Sequence, residues 1–294
     1  MKKTTQPKAL LSITIKLILI ITGCFSSMLA QNTTSQHFIQ NNNISFKSGY
    51  LQVNGIRLFY KETGAGPPLL FLHGGFGTSD LHFEHQFRAF ASQYRIISLD
   101  TRGHGKSTFD KKPFSYELFA EDTYVVLEAL GVDSAIVMGF SDGGITGLIL
   151  ASQHPEKVRH LIVVGSNTVP DTTAVYAADI EWVQNMDVLQ MATELQTTFP
   201  NYPKPQKLTT FVKKMQTLWL NEPHLSDTDL QQITCPVLVV AGDNDIIKIE
   251  HQVYIHRNIP NSDLLILPNT GHDAHILRKD IVNQLILERL TKKE

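Results

Sequence analysis

The stretch GFSDG at residues 139–143 decides how this sequence is interpreted. It fits the pattern Gly-x-Ser-x-Gly and lies between an apolar run at 135–138 and a helix-like run at 145–154. The pattern predicts a sharp turn from a strand into a helix, with Ser141 in a strained conformation and its hydroxyl clear of the sheet. Glycines on either side leave room for so tight a turn. The free N–H groups at the start of the helix would face the same point, where they suit a developing negative charge.

Candidate partners for Ser141 follow two later strand-like runs, in the chain order Ser, Asp, His. A Gly/Ser loop without chemistry could carry the same five letters, so the interpretation depends on these partners. Asp245 could accept an imidazole N–H and fix its tautomer. His272 would be the general base for Ser141 and the acid for the leaving group. Asp243 and His275 are the alternatives for the acid and the base.

A glycine-rich stretch at 73–77 (HGGFG) is expected to supply part of an oxyanion hole. Its glycines would let a backbone N–H turn toward a substrate carbonyl. The two donors would be the N–H groups of Gly75 and Asp142, each worth ~3 kcal/mol in comparable sites. Phe76 is the alternative donor and is also expected to contact the substrate.

Composition and charge are those of an ordinary globular protein. The 294 residues are 42% hydrophobic and 18% charged, enough for one large core or a core with a small insertion. The formal net charge of -2, without a clustered basic stripe, gives no case for nucleic acid. The two cysteines, Cys24 and Cys235, match no metal-binding spacing, and we expect no metal and no cofactor.

The first thirty residues have the features of a signal peptide. They combine a basic start, an apolar stretch at 17–25 and small residues before Ala30. The apolar stretch after Lys16 is too short to span a bilayer comfortably. We therefore expect cleavage near Ala30 and an exported protein, with an uncleaved N-terminal anchor as one alternative.

A lipid anchor is the second alternative for this terminus. Cys24 follows residues 21–23 (ITG), which resembles a bacterial lipobox with Cys24 as the acylated residue. The protein would then contact a membrane only through a lipid on Cys24. Residues 31–44 are rich in Asn, Gln and Thr and are expected to be a flexible linker.

From about residue 45, short apolar runs alternate with amphipathic helical stretches, which argues for a sheet flanked by helices. The expected strands are 50–53, 56–61, 68–72, 95–99, 135–139, 161–165, 236–241 and 263–267. The later runs are continuously apolar, as in parallel strands covered on both faces. Residues 116–130 have helical spacing, with Gly131 as a stop. The expected class is α/β, with an eight-stranded, mostly parallel sheet built from residues 45–166 and 235–294.

The alternation fails over residues 167–234. Helical stretches at 174–195 and 207–220 are separated by prolines, and strand-like runs are absent from residues 167–234. Because ligands in open α/β sheets bind beyond the carboxyl ends of the strands, we expect this segment to be a helical cap over that end. A disordered linker is the alternative, but the segment contains more apolar surface than a solvated linker needs.

Together with the loop at 100–107 (DTRGHGKS), these motifs resemble the α/β-hydrolase superfamily over roughly residues 50–290. The resemblance implies the α/β-hydrolase fold and a scaffold role for the loop. Residues 139–148 (GFSDGGITGL) resemble more narrowly the valacyclovir hydrolase group, also called biphenyl hydrolase-like proteins. In that group the acidic residue after the nucleophile holds the α-amino group of amino-acid esters, which implies substrate binding by Asp142. A favourable charge in the first turn of a helix is the alternative role for Asp142.

We therefore expect an exported serine hydrolase that cleaves a small-molecule carboxylic ester through an acyl-enzyme. The alternatives on the same triad are carbon–carbon bond, amide or perhydrolase chemistry, because the fold does not settle the bond type. A small-molecule sensor with slow turnover is the alternative outside catalysis. The serine at 141 argues against dehalogenase and epoxide hydrolase chemistry, which resemble this fold but use an aspartate nucleophile.

Overall fold

In the computed structural model, which describes residues 44–199 and 205–291, eight strands form one sheet. The strands are β1 Lys47–Val53, β2 Ile56–Thr63, β3 Pro68–Leu72, β4 Arg95–Leu99, β5 Ala135–Phe140, β6 Val158–Val164, β7 Val237–Gly242 and β8 Ser262–Leu267. Their order is β1-β2-β4-β3-β5-β6-β7-β8. The pairs β1–β2 and β2–β4 are antiparallel and the others are parallel. The expected eight-stranded, mostly parallel α/β sheet is confirmed.

The burial of each strand follows from its position in the sheet. Every residue of β5 and β7 is buried, because helices and loops cover both faces of these central parallel strands. The edge strand β1 alternates between exposed and less exposed residues, as a strand covered on one face does. The continuous apolar runs in the sequence therefore mark the centre of the sheet.

The helices that the structure describes occupy most of the intervals between the strands. They are α1 Ser79–Phe90, α2 Tyr116–Ala129, α3 Asp142–Gln153, α4 Ala177–Gln184, α5 Val188–Thr198, α6 Pro205–Asn221, α7 Asp227–Gln231, α8 Ile249–Asn258, α9 Ala274–Leu277 and α10 Lys279–Thr291. A 3₁₀ turn spans Pro155–Lys157. No helix among the described residues combines the length and apolarity needed to cross a membrane.

Helix α2 shows how the sequence sets a helix boundary. The Ser115 hydroxyl accepts a hydrogen bond from the N–H of Leu118 at 3.1 Å, which satisfies one free donor of the first turn. Gly131 follows the last turn with a φ of +63°, a conformation that glycine adopts without a Cβ clash. The helix expected over 116–130 therefore begins and ends as the sequence predicts.

The segment between β6 and β7 contains helices α4 to α7. The stretch expected to be helical at 174–195 contains two helices, α4 and α5, with a break between them. Asp187 is the physical reason: its carboxylate accepts from the N–H of Leu189 at 2.9 Å and of Gln190 at 3.0 Å. These bonds cap the start of a new helix at Val188, so the helical stretch is divided at this point.

The direction in which the sheet grows reverses at β3. Strand β4 pairs with one edge of β3 and β5 pairs with the other, so the loops after β3 and β5 emerge side by side. Crevices at such switch points are where ligands bind in open α/β sheets. A Cβ on Gly74, after β3, would lie 3.0 Å from the Cβ of Ser141, after β5.

The predictions for the N-terminus concern residues outside the described part of the chain. They are the signal peptide at 1–30, the acylated Cys24 and the linker up to residue 43.

Candidate active site

Ser141 alone connects the end of β5 to the first residue of α3. Its backbone has φ 52° and ψ −120°, which residues with a Cβ rarely adopt. The Ser141 N–H donates to the carbonyl of Val164 on β6 at 2.8 Å, so the neighbouring strand holds the strained turn. This strand–turn–helix context is the one in which a Gly-x-Ser-x-Gly serine is exposed as a nucleophile.

The two glycines of the motif are required by close backbone approaches. A Cβ on Gly143 would lie 2.0 Å from the carbonyl oxygen of Leu72. A Cβ on Gly139 would lie 2.3 Å from the carbonyl oxygen of Gly143. Both distances are far below van der Waals contact, so a side chain at 143 would push the turn away from β3 and one at 139 would collide with the start of α3.

The structure brings Ser141, His272 and Asp245 together in one hydrogen-bonded chain. The Nε2 of His272 lies 3.0 Å from Ser141 Oγ. The Nδ1 of His272 lies 2.6 Å from Asp245 Oδ1. The candidate nucleophile, base and orienting acid thus stand at hydrogen-bond distance in the order that acyl-transfer chemistry would need.

Asp245 is held by its own backbone neighbourhood. Its Oδ1 also accepts from the N–H of Ile247 at 3.0 Å, and its side chain is fully buried. Among the described residues no group donates to its Oδ2. With one oxygen bound to both donors, the carboxylate keeps a fixed orientation toward the imidazole.

Gly165, directly after β6, contributes to this pair in a way that the sequence reasoning missed. Its φ is +59°, and a Cβ there would lie 2.9 Å from His272 Nδ1 and 3.0 Å from Asp245 Oδ2. A side chain at 165 would therefore separate the base from the acid. The available signal was a glycine directly after a buried strand that borders the serine turn.

The electrostatics of the site favour a protonated, charged imidazole on His272. Burial lowers the pKa of His272, but the charge and hydrogen bond of Asp245 more than offset it, with smaller help from Asp273 and Asp142. The net result is a pKa above the ordinary 6.5. A raised pKa makes an imidazole a stronger proton acceptor, which is the property that the predicted general base needs.

The alternative acid and base lie in other contacts. Asp243 is exposed, and its Oδ1 accepts from the N–H of Thr270 at 3.0 Å. His275 is buried, and its Nε2 lies 2.9 Å from the carbonyl oxygen of His82. These bonds join Asp243 and His275 to residues other than Ser141, and they do not join Asp243 to His275.

The glycine-rich loop after β3 is fixed by histidines. His73 Nδ1 donates to the carbonyl of Gly74 at 2.8 Å, while its Nε2 accepts from the N–H of Thr101 at 3.0 Å. The N–H of Gly74 donates to His82 Nδ1 at 3.1 Å. Phe76, in the same loop, has a φ of +53° and is a second strained residue beside Ser141.

The two residues expected to donate from the backbone lie on opposite sides of Ser141. Gly75 is in the loop after β3, and Asp142 is the first residue of α3. A Cβ on Gly75 would lie 2.7 Å from Asp142 Oδ2, so the two residues are direct neighbours. Neither N–H group is bonded to another residue in the described part of the chain.

The Asp142 side chain is buried among neutral donors. Its Oδ1 accepts from the Tyr116 hydroxyl at 2.9 Å, and both of its oxygens lie within 3.1 Å of Trp219 Nε1. Burial raises the pKa of this carboxyl above its ordinary value, while the two donors act against that rise. The role of Asp142 in holding a substrate ammonium stays a prediction.

A further carboxyl, Asp179 on α4, faces the same charges and was not anticipated from the sequence. It is half-buried, and burial raises its pKa to about 6, with the His272 imidazole lowering it and the Asp245 carboxylate raising it. Helix α4 is positioned here because Val175 forms a bridge pair with Ile247, next to Asp245. Sequence spacing could not reveal this pairing, because the two segments are far apart in the chain.

Comparison with known proteins agrees with this fold. A model of the alpha/beta hydrolase fold matches residues 67–190. The human serine hydrolase BPHL is 26% identical over 255 residues, covering 82% of this chain and 85% of that protein. The proline iminopeptidase PfmaB of Pestalotiopsis fici is 26% identical over 283 residues, covering 83% of this chain and 99% of that protein. The solved structure of Est816, an N-acyl homoserine lactone degrading enzyme, aligns with a TM-score of 0.68 at 25% identity, covering 82% of this chain and 99% of that one.

The chain has the α/β-hydrolase fold. The resemblance inferred from the sequence motifs is thereby confirmed, and with it the expectation of a hydrolase enzyme.

Among the residues that the structure describes, five histidines are buried: His73, His82, His104, His251 and His275. Burial lowers the pKa of all five, to about 4 for His73 and His251 and to about 3 for His275. Each is neutral in the folded protein under conditions in which the unfolded chain would protonate it.

We expect the α/β-hydrolase to lose stability steeply as the pH falls below 6.5. Each lowered histidine pKa contributes stability that is present above 6.5 and is lost toward the folded pKa, by about 1.4 kcal/mol per pH unit. Burial raises the pKa of several carboxyls, which act in the opposite sense: to about 6 for Asp100 and Asp179, and in the same direction for Asp122, Asp142 and Glu222. Urea unfolding between pH 8 and 4.5 should show the free energy of unfolding falling below pH 6.5, with a slope of at most about three protons.

The control for this prediction is His251→Gln. The amide oxygen can still accept from the Thr168 N–H, which donates to His251 Nε2 at 3.0 Å, but the group no longer titrates. The slope should then fall by about one proton. A free energy of unfolding that stays constant between pH 6.5 and 4.5 would contradict the prediction.

Proposed function

We propose that this chain is an exported serine hydrolase that cleaves a small carboxylic ester through an acyl-enzyme. The observation that carries the proposal is the chain from Ser141 Oγ to His272 Nε2 at 3.0 Å and from His272 Nδ1 to Asp245 Oδ1 at 2.6 Å. Export rests on the basic and apolar character of residues 1–30.

The geometry supports a two-step acyl transfer. In the first step, His272 Nε2 takes the proton of Ser141 as Oγ attacks the ester carbonyl, and the imidazolium then gives that proton to the departing alcohol. In the second step, His272 takes a proton from water as the water oxygen attacks the acyl carbonyl, and the imidazolium returns that proton to Ser141 Oγ as the acid leaves. Asp245 holds the imidazole and stabilises its charged form in both steps.

The negative oxygen that forms in both steps needs donors close to Ser141. The N–H groups of Gly75 and Asp142 are our candidates, because each follows a neighbouring strand and both flank Ser141. The N–H of Phe76, in the same loop as Gly75, is the alternative donor. Donors of this kind, aimed at developing charge, supply about 3 kcal/mol each in comparable sites.

An apolar wall supports a small, uncharged acyl or alcohol group. The Phe76 ring contacts Trp219 edge-on at 4.7 Å between centroids and Phe211 at 5.8 Å. The ester class is favoured by the likeness to Est816, since a lactone is a cyclic ester. Amide cleavage is the second candidate, because the relative PfmaB is named as an iminopeptidase.

The test is covalent labelling combined with a substrate panel. A fluorophosphonate should form a phosphorus–oxygen bond to Ser141 Oγ and release fluoride, adding one label per chain by intact mass and peptide mapping. Labelling should abolish turnover of short-acyl aryl esters in proportion to the label bound. The same assays are run with matched anilides, with a carbon–carbon bond substrate and with peroxide, to test the other reaction types. Ester turnover that persists in fully labelled protein would overturn the proposal, and turnover of anilides alone would move it to amide cleavage.

A further inference from the structure

The carboxylate of Asp142 joins three helices at one point. Asp142 begins α3, Tyr116 begins α2, and Trp219 lies in the last turn of α6. The Tyr116 hydroxyl donates to Oδ1 at 2.9 Å, and the indole N–H of Trp219 donates at 3.1 Å to Oδ1 and 3.0 Å to Oδ2. Both donors are neutral and both oxygens are engaged, so the carboxylate is already solvated by the protein.

The indole of Trp219 also lies against the other side of the serine turn. A Cβ on Gly75 would lie 2.5 Å from Trp219 Cζ2, which means that the ring packs on the bare backbone of Gly75. One aromatic ring therefore contacts Gly75 with its edge and Asp142 with its N–H. These are the two residues whose backbone N–H groups we assign to the oxyanion hole.

A second bond fastens the same two helices. Glu222, directly after α6, accepts from the N–H of Tyr116 through Oε2 at 3.0 Å. The end of α6 is thus tied to the start of α2 by a backbone bond as well as through Asp142. A connection with two independent bonds resists the small displacements that would tilt the indole away from Gly75.

We propose that Asp142, Tyr116 and Trp219 form a latch that positions the oxyanion hole, and that the Asp142 carboxylate holds the protein together and does not bind a substrate ammonium. The positioning role rests on the proposed acyl-transfer function. It makes esters without an α-amino group the preferred substrate class, since an ammonium would have to displace the Trp219 donor. Burial that raises the pKa of Asp142 adds to the same preference.

Kinetics of Trp219→Phe, Tyr116→Phe and Asp142→Asn separate the latch from an ammonium site. The substrates are a matched pair of aryl esters, one with an α-amino group and one with a methyl group in its place. We expect Trp219→Phe, which leaves the carboxylate in place, to lower kcat on the order of 10-fold for both esters with KM little changed. Loss confined to the amino ester in Asp142→Asn, with full activity in Trp219→Phe, would overturn the latch.

The pH profile supplies a second readout. The Asp142 charge raises the pKa of His272, so Asp142→Asn should move the acid limb of kcat/KM to lower pH. Trp219→Phe keeps that charge and should leave the acid limb in place while kcat falls. An equal shift of the acid limb in both variants would contradict a role through positioning.

The last readout does not depend on turnover, so it stands even if the ester proposal fails. The chain has two tryptophans, and the indole ¹⁵N–H signal missing from Trp219→Phe identifies Trp219. We expect this signal to be protected from exchange and to shift in Asp142→Asn and Tyr116→Phe. Tyr254→Phe, which removes a hydroxyl bond to Asp227 on the surface, is the matched control and should leave it unchanged. A Trp219 indole N–H signal that exchanges rapidly with solvent and does not shift in Asp142→Asn would overturn the latch.

Discussion

Replacement of Ser141 by alanine is expected to lower kcat for the best ester by on the order of 10⁶, with the fold unchanged. The variant loses the only hydroxyl that lies at 3.0 Å from His272 Nε2 in the described structure, so no acyl-enzyme can form. The turn itself should persist, because the strained φ of 52° is held by backbone bonds such as that from the Ser141 N–H to Val164. Residual turnover would come from water attack assisted by the oxyanion donors.

The measurement is kcat and KM for the panel of short-acyl aryl esters, with thermal unfolding to check the fold. His272→Ala should cost about as much as Ser141→Ala, and the double variant little more, because the two groups act as a unit. Ser152→Ala is the matched control: Ser152 is buried on the same helix α3 but bonds to Gln232, away from the site. Turnover by Ser141→Ala within 10-fold of the native rate would disprove acyl transfer through this serine.

The sequence could predict the sheet and the order of the site residues, because both depend on short-range pattern. Continuous apolar runs mark buried parallel strands, and a glycine-flanked serine between a strand and a helix permits one geometry. Loops that follow neighbouring parallel strands meet at one edge, which is why Asp245 and His272 could be named from their positions after β7 and β8. The distances themselves had to come from the structure.

The contacts made by the inserted helices could not be predicted. Trp219 and Asp142 are 77 positions apart, and no local pattern indicates that an indole N–H will meet a carboxylate beside the serine. The break before α5 was missed because Asp187 interrupts an apolar periodicity that remains helical on both sides. Gly165 carries a role that depends on the placement of His272 and Asp245, which is known only once the sheet is assembled.

Replacement of Asp245 by asparagine is expected to lower kcat on the order of 10⁴, the second largest effect in the site. The amide keeps an oxygen for the Ile247 N–H, which donates at 3.0 Å, so the loop should stay folded. Because Oδ1 bonds both the Ile247 N–H and His272 Nδ1, an amide oxygen at that position keeps both bonds but loses the negative charge that stabilises the imidazolium. An amide nitrogen at that position presents N–H groups to Nδ1 and favours the tautomer with a proton on Nε2. An imidazole in that tautomer cannot accept the proton of Ser141.

The same substitution should change the pH dependence in a defined direction. Asp245 is the main group that raises the pKa of His272, and activity is lost as the pH falls through that pKa because the base becomes protonated. Without the carboxylate, burial dominates and lowers the pKa, so the acid limb of kcat/KM should move to lower pH while its plateau falls. Asp243→Asn is the matched control, since Asp243 is exposed and bonds to Thr270, and it should retain near-native kcat. A larger loss in Asp243→Asn than in Asp245→Asn would show that Asp243 and not Asp245 is the orienting acid, because only the group that holds His272 Nδ1 can set the tautomer.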